Sequence, residues 1–267
     1  MRMLAMVLFL ALLPAAGLAG PREAKLARDA FYALEAEPFD AENVPKAVRD
    51  IETAMRTAQD EPWVLIARSR AMLEAGYQKG DRSRLSSYKA EEMRMAVGLA
   101  RRAVEKAPHE SMAHVALARV QIIADDSRGA WDTLNTAHRL DPASFYPWYY
   151  RGVIALRMKD ARRAVEAFDA ADRHAAMPYQ KEWALSRRLD IARLDNDPAA
   201  EEAIHRQVIA SRPHSAHAVG NYAAYLKRHK RYDEAIEQYR KALAMRPYPL
   251  AEEQLRHTIQ LRDAAKR

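Results

Sequence analysis

Nine histidines in a chain without cysteine are the first residues that could carry chemistry. A protein metal site needs several N or O ligands brought to one point, as when two histidines four apart on a helix face the same way beside a glutamate. His214 and His217 stand three apart, and His109 and His114 occupy a similar inter-repeat stretch, but neither pair has a third carboxylate at usable spacing. The expectation is no metal and no cofactor. Ser86 and Ser87 lack a nearby histidine and no Gly-x-Ser-x-Gly elbow occurs, so no serine is set up as a nucleophile. Only 8 glycines are present and none form a phosphate-cradling loop. Asp125–Asp126 and Asp195–Asn196–Asp197 fall where short polar side chains cap helices. With 36 acidic residues, carboxylate pairs arise anywhere and decide nothing. The absence of cysteine also removes disulfides, a thiolate site and a lipid-modified N-terminus. These observations argue against an enzyme.

The elements that would position any site are helices. The 267 residues are 49% hydrophobic and 30% charged, enough for a buried core. Ala, Leu, Arg and Glu are abundant, and β-branched residues do not alternate, so local propensity favours helix and no run reads as a strand. The first residues differ in kind. Met1-Arg2-Met3 carries one positive charge, Leu4 to Leu13 is apolar, and Ala15-Ala16-Gly17-Leu18-Ala19-Gly20 is small. This reads as a secretory signal peptide over 1–19, with Gly17 and Ala19 before the cut and a mature chain from Gly20. A bilayer span needs roughly 20 apolar residues, which this stretch lacks. The expected location is the periplasm or outside the cell, with an uncleaved signal and an inner-membrane tether as the alternative. The formal charge of +7 is a mild basic excess. For an exported chain that points to acidic protein surfaces, envelope polymers or lipid head groups, and not to nucleic acid.

One spacing recurs. Ala96, Ala100, Ala103 and Pro108 return as Ala130, Leu134, Ala137 and Pro142, and again at the same step as Ala164, Phe168, Ala171 and Ala176. A last copy is Ala235, Tyr239, Ala242 and Pro247. Pro142 to Pro213 covers two such steps with three residues to spare, so an insertion stands there, and Pro213 to Pro247 is again a single step. Ahead of each copy stands a large residue, then an apolar or long one, then a small one: Trp63, Ile66, Ala67; His114, Leu117, Ala118; Trp148, Arg151, Gly152; Val219, Tyr222, Ala223. Each unit is therefore two helices that cross at small residues, closed in most copies by proline.

This pattern resembles the tetratricopeptide repeat, whose units carry Trp-x2-Leu-Gly-x2-Tyr, then Ala-x3-Phe-x2-Ala and a closing Pro over about 34 residues. Trp148, Gly152, Ala164, Phe168 and Ala171 carry the likeness best, and it spans 60–247. The resemblance implies an all-α, right-handed solenoid of about six helical hairpins, with first helices lining a concave groove. It also implies that groove residues lie on those first helices: Arg68, Arg119, Tyr146, Tyr149, Trp183, Arg193, Asn221 and Lys227, with Arg157 and Arg228 near the rim. Tyr146, Tyr149 and Tyr150 form the densest cluster, and the groove would centre on Tyr146, Tyr149 and Arg119. Arginine clamps carboxylates and tyrosine supplies stiff contact area, so the expected partner is a protein or peptide, acidic or presenting a chain end.

The copy between Lys181 and Pro213 departs from the pattern, because Glu201 stands where alanine is expected. In the first strong unit a polar, basic insertion near 76–94 separates the helices, either as a lengthened hairpin tip or as a lid or partner contact. Residues 20–59 read as a weak N-terminal hairpin or cap, and 248–267 as a C-terminal capping helix. The leading reading is a non-enzymatic scaffold of the cell envelope that binds a protein partner in its groove. The alternative is an accessory of envelope-polymer or exopolysaccharide assembly or export that binds an anionic glycan or lipid surface.

Overall fold

The computed structural model describes residues 21–36, 43–78, 80, 82, 84–246 and 249–266. The expected signal peptide, the expected start at Gly20 and the repeat-closing Pro247 lie outside the described residues. Among the described residues there are thirteen α-helices and no strand. They pair as α1 (Pro21–Ala36) with α2 (Asn43–Ala58), α3 (Pro62–Gly76) with α4 (Ala90–Lys106), and α5 (Ser111–Ile123) with α6 (Ser127–Leu140). Next come α7 (Phe145–Arg157) with α8 (Ala161–Arg173), α9 (Pro178–Leu194) with α10 (Pro198–Ser211), and α11 (Ala216–Arg228) with α12 (Tyr232–Met245). Helix α13 (Pro249–Ala265) closes the stack against α12. Six hairpins and a terminal helix agree with the expected architecture.

The turn inside each of four hairpins is the same device. Asp125, Lys159, Asn196 and Lys230 take φ of 67°, 58°, 52° and 60°, the left-handed conformation that ends a helix by bonding back to its last carbonyls. The following residue then starts the second helix. Asp126, Asp160 and Asp197 accept from the backbone N–H of Gly129, Arg163 and Ala200 at 2.8, 3.0 and 3.0 Å. Lysine at two of these positions takes a left-handed conformation that is uncommon for residues other than glycine. The four turns keep the step of the core pattern, and the three extra residues fall between Lys159 and Asn196.

Small residues set how closely the paired helices approach. A Cβ on Gly152 would lie 2.6 Å from the Phe168 ring, so glycine on α7 is what admits phenylalanine on α8. Counted from the turns, Ala118 and Leu134 hold the same two places one unit earlier, and Ala223 and Tyr239 in the last unit. Consecutive first helices touch, α3 with α5, α5 with α7 and α7 with α9, whereas among the described residues no comparable contact joins α4 to α6 or α6 to α8. The stack therefore curves toward the first helices, and these line its inner face.

Counting from Asn196 also fixes the register of the divergent unit. Glu201 and His205 hold the places of Ala164 and Phe168, and Leu189 holds the place of Gly152. The apolar core accordingly runs unbroken from Ala27 to Ile191 and resumes as separate clusters around Tyr225 and Tyr239. Between them α10 buries only Glu201 and His205. A polar joint divides the stack at this point.

Candidate functional site

The inner face of the first three full hairpins is not open. Helix α1 lies across it, packed on α3 and reaching α9, while α2 meets α3 less extensively. Its stripe of Ala27, Ala30, Phe31, Leu34 and Glu35, at i, i+3, i+4, i+7 and i+8, is buried and its other faces stay partly or fully exposed. Phe31 packs edge-on against Trp63 of α3 and Tyr146 of α7, with ring centroids 6.1 and 6.3 Å away. Fully burying residues such as Phe31 and Leu34 stabilises by roughly 1.5–3 kcal/mol each. The same stripe carries a charge inward. Glu35 is 0% exposed, the one carboxylate so deeply buried among the described residues.

Two arginines from successive units hold it. Arg70 on α3 donates through Nε to Glu35 Oε1 at 2.5 Å and through Nη2 to the Leu34 carbonyl at 3.0 Å. Arg119 on α5 donates both Nη groups to the Glu35 carboxylate at 2.7 and 2.6 Å, and its Nε donates to the Tyr150 hydroxyl on α7. Burial pushes the Glu35 carboxyl up, but Arg119 and Arg70 outweigh it and hold the group below the usual carboxylate range. Burial alone would lower Arg119; the facing Glu35 instead carries its guanidinium well above the ordinary value. The pair is ionised, and each charge is desolvated only because the other is present.

The arrangement continues on both sides. Arg70 also donates to Glu74 at 2.9 Å, and Glu74 accepts two parallel bonds from Arg82, each 2.9 Å. Arg82 lies 4.0 Å above the Tyr77 ring, and Tyr88 donates to the Arg82 carbonyl at 2.8 Å. The insertion is thereby folded back on α3, with Tyr77 and Tyr88 bridged through their backbones. Helix α4 begins at Ala90, so the interruption is residues 77–89, shorter than the 76–94 expected, because Glu91 to Arg94 already belong to the helix. On the far side Tyr146 and Tyr179 share a hydroxyl hydrogen bond of 2.7 Å, and burial drives Tyr146 well above the ordinary phenol range and Tyr179 up to about 12.

The residues expected in the groove divide into groups. Arg119, Tyr146, Tyr149 and Trp183 come together in one aromatic and basic cluster: Tyr149 stacks on Phe145 at 5.3 Å, meets Trp183 at 5.3 Å and accepts from Arg187 at 3.1 Å. Tyr146 and Tyr149 are 3% and 6% exposed, so the expected centre of an open groove is covered by the chain itself. Tyr146 is covered by Phe31 of α1, whereas Tyr149 is enclosed by Phe168 of α8 and by Trp183 and Arg187 of α9. Arg193 and Arg228 meet elsewhere, on Glu201, at 2.7 and 2.5 Å, where the buried His205 ring also packs. Burial, countered only in part by Glu201, lowers His205 to about 4 and keeps it neutral. Lys227 donates to Gln254 of α13 and Asn221 is exposed. Arg157 donates to the Ile122 carbonyl at the end of α5. Arg68 stands apart, half-buried and lowered by that burial and by nearby Arg102. Among the described residues no group of three or more His, Cys, Asp or Glu is placed to hold a metal ion, and no helix is long and apolar enough to cross a membrane.

The residues that sequence reasoning missed are Glu35, Arg70 and Glu74. For the buried surroundings of α3, which carries Arg70 and Glu74, and of α5 a signal was present; for Glu35 on α1 there was none. Val64-Leu65-Ile66-Ala67 on α3 and the run from Met112 to Ile123 on α5 bury residues on every side, and a helix apolar all round has a neighbour on every side.

Solved structures carry the same arrangement of tandem hairpins. A thermophilic repeat protein of Thermus thermophilus superposes with a TM-score of 0.58 over 75% of this chain and 98% of its own, at 13% identity. The chain has the tetratricopeptide-repeat fold. A tetratricopeptide-repeat protein of Parabacteroides merdae matches with a TM-score of 0.53 over 92% of this chain and 88% of its own, at 13% identity. Yeast Tom70 matches at 0.56 and 18% identity over 89% of this chain, which spans 47% of Tom70. At these identities the likeness is one of fold. No protein-family model and no curated protein matches the sequence.

Proposed function

We propose that this tetratricopeptide-repeat chain is an exported scaffold of the cell envelope that acts by binding a protein or peptide partner along its inner face, without catalysis. One observation carries the reading: first helices of successive units converge two guanidiniums on one carboxylate in a dry setting, and a phenol from the next unit accepts from one of those guanidiniums. Repeat scaffolds bind by spreading contacts over several units, and a bidentate arginine clamp is a selective way to fix an acidic segment in register. The export assignment is supported by the charged, apolar and small-residue order of residues 1–19.

The inner face stays open beyond α1. Asn221 on α11 holds the place that Tyr150 holds on α7 and Arg187 on α9, and it is exposed. The test is capture of envelope proteins on the immobilised full chain, compared with Asn221→Arg on the inner face and Arg162→Glu on the outward helix α8. A partner lost with Asn221→Arg and retained with Arg162→Glu is the expected result. A partner lost only with Arg162→Glu would move the site to the outer face and end the proposal.

A further inference from the structure

Helix α1 is bound as a ligand would be. It lies across the faces of several first helices, buries one stripe against them while a flank packs on α2, and places its carboxylate on arginines that belong to other units. The hairpin it forms with α2 is not stacked in the manner of the others, because α1 and not α2 makes the larger contact with α3. A cap needs only to cover apolar surface; it does not need a buried ion pair whose charges must be desolvated. Such a pair does serve selection, since a helix without the carboxylate would leave Arg119 buried against a single phenol.

We infer that α1 is an internal occupant of the partner site, and that the partner presents an amphipathic helix of the same chemistry: an aromatic residue, an aliphatic one three places on and a carboxylate four places on, as in Phe31, Leu34 and Glu35. This rests on the reading of the inner face as the binding surface. Exchange of one such helix for another conserves the contacts, because the incoming Phe, Leu and Glu meet the surface that the outgoing ones leave. The affinity measured from outside is then the intrinsic affinity reduced by the fraction of chains in which α1 is displaced. Loosening α1 raises that fraction and strengthens binding in trans.

The probe is a fluorescently labelled peptide with the sequence of residues 21–36, titrated with the full-length chain and followed by anisotropy. The chain carrying Glu35→Ala is expected to bind it at least about tenfold more tightly than the wild-type chain, and Arg119→Ala in that background removes the gain. Glu35→Gln, which keeps the shape of the side chain, serves as a second variant and is expected to move the same way by a smaller factor. A peptide in which alanine replaces Glu35 is expected to bind none of these chains. Equal binding to wild-type and both Glu35 variants, or binding to none of them while circular dichroism shows them helical, overturns the inference. If that happens while partner capture still depends on Asn221, the internal occupant is disproved and the scaffold reading stands.

Discussion

Removing the buried carboxylate separates the arginines by what each has left. In Glu35→Ala, Arg70 keeps Glu74 and the Leu34 carbonyl, whereas Arg119 loses both carboxylate bonds and keeps only the Tyr150 hydroxyl. Leaving one charge of a buried pair uncompensated costs about 3–5 kcal/mol, and nearly all of that falls on Arg119. For a chain of this size each kcal/mol lowers the melting temperature by about 2–4 °C, so the loss is roughly 6–20 °C. Arg70→Ala leaves Glu35 with Arg119 and Glu74 with Arg82, so its cost is about 1–3 kcal/mol. Arg119→Ala falls between them. The double change Glu35→Ala with Arg119→Met costs less than the sum of its parts by about 0.5–3 kcal/mol. Thermal and urea unfolding followed by circular dichroism read all four. A Glu35→Ala cost below about 1 kcal/mol, or a larger cost for Arg70→Ala than for Glu35→Ala, refutes the reasoning about which charge depends on which.

Three further outcomes follow from the helix crossings and the polar joint. Gly152→Ala drives a methyl into the Phe168 ring and is expected to cost about 1–3 kcal/mol, falling by more than half in a Phe168→Leu background; an equal cost in both backgrounds contradicts the crossing geometry. His205, held at about 4 against an ordinary 6.5, takes its proton more readily in the unfolded chain. Stability therefore falls as pH drops from about 6.5 toward 4, by up to about 3 kcal/mol, and His205→Gln flattens that window when both chains are unfolded with urea across it. Glu201→Ala with His205→Leu restores the pairing that Ala130 and Leu134 make two units earlier. It is expected to be neutral or stabilising by about 1–4 kcal/mol, and a loss of more than about 1 kcal/mol would show that the buried charge holds the joint together.

The repeat was legible because its cause is local and periodic. Alanine or glycine at a crossing, a large residue beside it and an aspartate opening the next helix recur from unit to unit, since every hairpin solves the same packing problem. The three inserted residues before Pro213 were likewise visible, and the turns at Lys159 and Asn196 account for them. Glu201 read as a departure in uncertain register, because a carboxylate at an alanine position has a meaning only when Arg193 and Arg228 are seen to reach it. Glu35 was illegible for a stronger reason. Its partners lie 35 and 84 residues away, and a glutamate near the end of an amphipathic helix reads as solvated. Tyr146 and Tyr149 stood out as a cluster on the first helices, but no spacing rule says that Phe31 of the chain's own first helix covers Tyr146 or that α8 and α9 enclose Tyr149.

The most direct measurement of the central claim is hydrogen–deuterium exchange of the full-length chain, ¹⁵N-labelled so that its fragments separate in mass from an added peptide of residues 21–36. With the peptide in excess, the account predicts faster exchange in the chain's own 21–36 segment while α3, α5 and α7 keep their protection. Unchanged protection of that segment at saturating peptide, or protection gained on α6 and α8 instead, would contradict it.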